Sequence, residues 1–557
     1  MLFKLIVVIV ALGLCFSAYV PRRNVADYGA KGDGVTDDTA AIIRAITEGR
    51  ADNPAASFPT TYSSSSLTPA LVYFPPGVYL ISDTLPLVYY TQMVGDADSI
   101  PTIKMASTGS DKRMIDSLSE AWGGNLVNQN NFFHQVRNFV LDMSTCDACT
   151  GIHWQVAQAT QLSNIHFKMK SGSKCQGIWM ENGSGGFISD LVFDGGMFGM
   201  WVGNQQFTSR NITIRGASTS GIYLNWDWGW TFQGLEISNT PVGIDVGAVT
   251  GSLLVVDSKF NNISVAAVRT GFASTNAPLN NNLVLDNVIF TEVGAGVNNG
   301  NTTVLAGSSG VKEVKAWAQG RVWRDGKVTT ENIDLYENKV HPNKPAALLG
   351  GASTSFFQKA RPSFDSSSYT KLNAVKDFGI NNDGKTDVTV AFQAAIDKCA
   401  KAGAVFFLPH GTYRISDTIV LPVNTRILGE AWSVIMIAKN SEGKFSDPTH
   451  PVAAIKVGSV SGQQGVAQLV DLLITTEGPL PGAVLLEWNM ADLSSEQGSA
   501  GLWEVHFRVG GAIGTKIDPT NCPRGDGTKA LAESCAGAWA LMRITTKATA
   551  YLENVWG

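Results

Sequence analysis

The sequence predicts an all-β protein built as two tandem right-handed parallel β-helices lying side by side. Three observations predict it. A long opening segment occurs twice, short alternating strands follow at successive spacings of 26, 26, 21, 23, 23 and 30 residues, and those spacings are too wide for hairpin-linked sheets.

The duplication comes first in the chain. Asn24-Val-Ala-Asp-Tyr-Gly-Ala-Lys-Gly-Asp-Gly-Val-Thr-Asp-Asp-Thr39 returns as Asn373-Ala-Val-Lys-Asp-Phe-Gly-Ile-Asn-Asn-Asp-Gly-Lys-Thr-Asp-Val-Thr389. Each copy leads into a helical pattern, at 40–48 and 390–401, and then into Pro-x-Gly-x-Tyr and Ile-Ser-Asp-Thr strings. Asp33, Asp37 and Asp38 fall where a loop turns into a helix, so they read as caps of free N–H groups rather than as a catalytic pair. Val388 stands in the second copy where the first has Asp38, which agrees with capping.

The strands share one signature: Asn, Asp or Gly followed by apolar-x-apolar. They begin at Asn138, Asn164, Asp190, Asn211, Gly234, Asp257 and Asn287. Alternation marks a strand with one buried face. Asn, Asp and Gly tolerate the left-handed backbone that a tight corner requires. A solenoid rung buries its apolar face only by stacking on the next.

These boundaries follow: a signal peptide at 1–18, an N-terminal β-helix at 19–300, a linker at 301–372 and a C-terminal β-helix at 373–557. The second helix shows fewer rungs, at Asp471, Glu504 and Asn554, and no terminal cap follows, so an incomplete helix is expected. Ser57–Thr68 reads as an inserted loop.

Lys4, the 12 apolar residues Leu5–Phe16 and the small pair Ser17-Ala18 read as a cleaved secretory signal, giving a secreted, extracellular protein with no membrane span. Six cysteines then remain, and Cys522 with Cys535, bracketing a Pro/Gly/Asp-rich loop, is the favoured disulfide. Cys146 and Cys149 have CxxC spacing and read as a local disulfide rather than zinc ligands; no metal and no cofactor are expected. Sequons stand at Asn182, Asn211, Asn262 and Asn301. A net charge of −5 with 16% charged residues argues against nucleic acid or anionic membranes as partners, and a monomer is expected.

Taken with the paired openings, the stretches Gly151–Thr160, Gly183–Phe187, Gly203–Thr208, Asn225–Thr231 and Tyr551–Trp556 resemble glycoside hydrolase family 55, from Asn24 to the end of the chain. The resemblance implies pectin-lyase-like solenoids and an exo-acting, inverting hydrolase of β-1,3-glucan, the polysaccharide partner, with its groove between the two helices. Inversion needs a general acid and a water activated on the opposite face. Gln176 and Gln205 match the residues that the family uses to hold this water; they also read as stacked amide ladders. Trp226, Trp228 and Trp230 alternate on one strand, so they are expected on one face as a sugar-stacking wall, with a core stack as the alternative. Asp227 between them is counted with the substrate-binding residues.

The family's acid-bearing Ser-x-Glu-His stretch does not occur here, so the chain as written is expected to be inactive. Glu181, Glu487, Glu504 and Glu553 are available carboxylates, none of them assigned. Two competing readings are a pectin-type hydrolase or lyase and a non-catalytic glucan-binding protein.

Overall fold

The computed structural model describes residues 21–50, 69–106, 112–117, 128–273, 280–324, 326–338, 343–351, 353–510, 515–518, 520–522 and 535–557. The expected signal peptide and the loop at 57–68 lie outside them. The described strands fall into two hydrogen-bonded sets. Arg22–Asn24 through Lys327–Asp334 form one 19-stranded system, and Lys371–Asn373 through Tyr551–Glu553 form sheets of eight, four and two strands.

Pairing along the stacks is parallel and in register, so like covers like from rung to rung. Phe139, Ile165, Leu191, Ile212 and Leu235 make one column; Leu141, Phe167, Phe193, Ile214 and Ile237 make the next. All ten are at most 1% exposed. The Phe167 and Phe193 rings stack at 4.4 Å. Burying each such side chain is worth roughly 1.5–3 kcal/mol, a gain no single rung could realise alone.

The corners follow the sequence. Asn138, Asn164, Asp190, Asn211, Gly234, Asp257 and Asn287 all have positive φ, between 51° and 71°, and Asp471, Glu504 and Asn554 have φ of 55°, 57° and 48°. Their side chains tie successive corners together. Asn164 Nδ2 donates to Asn138 Oδ1 at 2.9 Å, Asn211 Nδ2 to Asp190 Oδ1 at 2.8 Å, and Asn287 Nδ2 to Asp257 Oδ1 at 2.6 Å. Two sequons are thus ladder members: Asn211 here, and Asn262, which donates to Asn239 Oδ1 at 2.8 Å. Asn182 is half-buried, and Asn301 is exposed at a turn.

The helices of the two openings are Thr39–Thr47 and Thr389–Ala402. Asp37 accepts from the Thr39 N–H at 3.0 Å, and Asp387 repeats this at Thr389. Asp33 closes its own turn through Val35 and Thr36, while Asp38 accepts from Lys31 and Gly32 N–H groups. These acids are occupied by backbone.

Two expectations are corrected. Residues 302–324 and 327–334, assigned to the linker, form two strands that continue the first sheet antiparallel. Val314, Ala316, Trp317 and Ala318 bury against the last parallel rung, covering an apolar edge that would otherwise face water. Cys146 and Cys149 are not bonded to each other: Cys149 opens the strand Cys149–His153, whose register sets it beside Cys175. Cys522 and Cys535 are disulfide-bonded, with Cα atoms 5.7 Å apart.

The two sets touch through buried charge and aromatic rings. Arg210 Nε donates to Glu553 at 2.9 Å, and Asp471 meets both Arg137, at 3.5 Å, and Arg361. Tyr90 stacks on Trp432 at 5.5 Å within a cluster holding Phe133. The connecting segment is pinned to both sets, by Phe356 N–H to Asp257 and by Lys359 N–H to Tyr551 Oη.

Candidate functional site

Between the sets lies an open groove of about 560 Å³. One wall is a column across the first stack, including Gln158, Gly185, Gln206, Gly229, Ser252 and Asn282; Asn554, Val555 and Trp556 of the second set face it. Phe207 and Trp230, stacked at 4.6 Å, lie under the floor. Gly186, at φ +151°, keeps the floor open: a Cβ there would sit 2.6 Å from the Phe207 ring.

Two amides converge on one carbonyl. Gln206 Nε2 donates to Ser184 O at 3.0 Å, Gln158 Nε2 donates to the same oxygen, and the Ser184 hydroxyl donates back to Gln158 Oε1 at 3.3 Å. Each Nε2 carries a second N–H, so both amides are oriented by protein and still able to hold a water.

A charged network stands beside this corner. His153 bonds Asp116 Oδ1 through Nδ1 at 2.7 Å and Glu181 Oε2 through Nε2 at 2.9 Å, and Arg113 bonds Asp116 at 2.8 Å. Burial alone would lower the imidazole's pKa, but its hydrogen bonds to Asp116 and Glu181 outweigh it and raise it. Burial likewise pushes Glu181 up, and the His153 hydrogen bond and charge hold it below its ordinary value. Glu181 is therefore an anion at neutral pH. The Trp226 indole donates to Glu181 O at 2.8 Å and fixes the strand end. His153, Trp179, Trp201 and Tyr223 follow one another in register as an outward column. Trp179 and Trp201 are half-buried there, not core.

The structure redistributes the residues singled out from sequence. Gln176 donates to Thr150 Oγ1 at 3.1 Å within the sheet and does not line the groove. Gln205 points off the groove, and its neighbour Gln206 lines it. The three tryptophans do not share a face: Trp228 is 56% exposed, Trp230 is 1% exposed, and Trp226 lies between. Asp227 points inward, Trp228 and Gly229 outward, and Trp230 inward again, so strict alternation fails between Trp228 and Trp230. Trp230 packs in the core beneath the groove, its indole donating to Ser209 Oγ at 3.0 Å.

Asp227 is a further correction, because it is sealed from solvent and cannot meet a substrate. Its Oδ1 accepts from the Gly251 N–H at 2.7 Å, and burial raises its pKa to about 7. A carboxyl with a raised folded-state pKa binds its proton more tightly when folded, so stability falls as pH rises from about 4 through 7. Asp227→Asn is expected to flatten that part of the profile and raise the urea midpoint at pH 8 but not at pH 4. An unchanged slope between pH 4 and 7 would show that the carboxyl is already ionised.

Comparison with known proteins places this fold. A family profile described as "Rhamnogalacturonase A/epimerase, pectate lyase-like" matches residues 22–245 and 372–517. The chain belongs to this pectate lyase-like family. Within it, the chain is 36% identical to a "Probable glucan endo-1,3-beta-glucosidase" of Arthroderma benhamiae, over 97% of this chain and 72% of that protein. It is 34% identical to a "Glucan 1,3-beta-glucosidase" of Cochliobolus carbonum, over 97% and 68%. It is also 38% identical to a "Non-secreted LysM effector LysM15" of Penicillium expansum, where it spans 97% of itself but 39% of the relative. Among the described residues, no helix is long and apolar enough to cross a membrane.

Proposed function

We propose that this chain carries the glucan groove of a secreted, exo-acting, inverting β-1,3-glucan hydrolase of glycoside hydrolase family 55, organised as two β-helices. The observation that carries the reading is the pair Gln158 and Gln206, oriented on one carbonyl in a groove with aromatic rings below and Trp556 opposite. Oriented amides suit a water that must attack from a fixed side, and aromatic rings suit sugar faces. The relatives named as glucan glucosidases support the substrate class.

The carboxylates considered from sequence are committed elsewhere. Glu553 pairs with Arg210, Glu504 accepts from Asn554 Nδ2 at 2.5 Å, and Glu487 accepts from Asn489 Nδ2 at 3.0 Å and from Arg543. None of the three lines the groove, and none is assigned as the general acid. The test is to assay the protein on laminarin, following products and their anomeric form by NMR. It should release glucose from chain ends with inversion. Internal cleavage would overturn the exo reading, and retention the inverting one. Galacturonate from pectin, with no glucose from laminarin, would overturn the substrate.

A further inference from the structure

Three cysteines outside the groove gather at one turn of the first stack. Cys146, Cys149 and Cys175 are each at most 1% exposed and belong to one apolar core. Thr150 pairs in register with Gln176, so the preceding residues, Cys149 and Cys175, lie side by side on neighbouring rungs. Parallel neighbours stand about 4.8 Å apart, inside the Cα separation of about 4.4–6.8 Å that a disulfide spans. Cys146 is held differently: its carbonyl accepts from Cys175 Sγ at 3.4 Å, and it sits in the turn before the strand.

We propose that Cys149 and Cys175 are a disulfide site that staples two adjacent rungs when the chain folds in oxidising surroundings, with Cys146 left as a thiol. Exchange opens at either thiol, for instance Cys175, while the rungs are apart and the sulfur is open to solvent. The Cys175 thiolate attacks a sulfur of oxidised glutathione, or of another small disulfide, before the rungs close, and one glutathione thiolate leaves. The Cys149 thiolate then attacks the mixed disulfide at Cys175 and expels the second. Two cysteine thiols lose two protons and two electrons, and one external disulfide becomes two thiols. A bond here closes the loop between the two rungs and removes freedom from the unfolded chain.

The test is a peptide map of the protein made in an oxidising compartment, alkylated in denaturant without reductant. The expected result is a reductant-sensitive linked peptide joining Cys149 to Cys175, with Cys146 and Cys399 alkylated. Alkylation of Cys149 and Cys175 without reductant, or a link that runs only through Cys146, would overturn the proposal. A Cys146→Ser variant is a second reading: it should keep the link, and a reductant should lower its urea midpoint. In a Cys522→Ser, Cys535→Ser background the same drop should remain, which separates this bond from the one already present.

Discussion

Replacing Gln206 with Ala should lower kcat on laminarin about 10²-fold while KM stays nearly unchanged, because a misplaced reacting atom costs about that much. The side chain is exposed in the groove and aimed by its bond to Ser184 O. It acts on the water rather than on the sugar, so ground-state binding should survive its loss. Gln205→Ala is the control; its side chain lies off the groove, and its kinetics should match the parent. A rise in KM at constant kcat would make Gln206 a sugar ligand instead.

Arg210→Ala should cost about 3–5 kcal/mol of unfolding free energy, the usual penalty for leaving a buried charge unpaired. Arg210 is 6% exposed and holds Glu553, at 2% exposure, as well as Asp190 at 2.8 Å. Burial lowers its pKa, and the two carboxylates outweigh that and raise it, so the guanidinium is charged where it sits. Pairing Arg210→Met with Glu553→Leu should lose much less, since the buried Glu553 carboxylate is then not stranded and only the more exposed Asp190 loses its partner. Equal losses in the single and double variants, read from urea unfolding, would show that the pair contributes packing and not charge.

The fold was legible because its code is local. A corner needs a residue that accepts positive φ, and the Asn, Asp and Gly positions marked in the sequence all adopt it. The duplicated opening was equally plain, since Pro-x-Gly-x-Tyr and Asp-Gly-x-Thr-Asp specify turns. The strands at 302–334 were missed because Gly, Ser and Thr composition resembles a linker, while the edge they cover is set by a distant rung. The site was legible only in part. Alternation places Trp226, Trp228 and Trp230 together, and the break in that alternation between Trp228 and Trp230 separates them. His153 stood inside a recognised string, yet its partners Asp116 and Glu181 are 37 and 28 residues away. Only stacking unites them.

The corners have a consequence for descent. Gly185, Gln206, Gly229, Ser252 and Asn282 each line the groove five positions before the next corner (190 − 185, 211 − 206, 234 − 229, 257 − 252 and 287 − 282). The distance between corners nevertheless varies from 21 to 30. Turn length therefore varies in the part of each turn that the groove does not use. A lineage of such proteins can lengthen or trim its remote loops freely, while the substrate-facing column keeps a constant address that is counted back from the corner. A change of chemistry then requires only point replacement at that address, with no shift in the scaffold's frame.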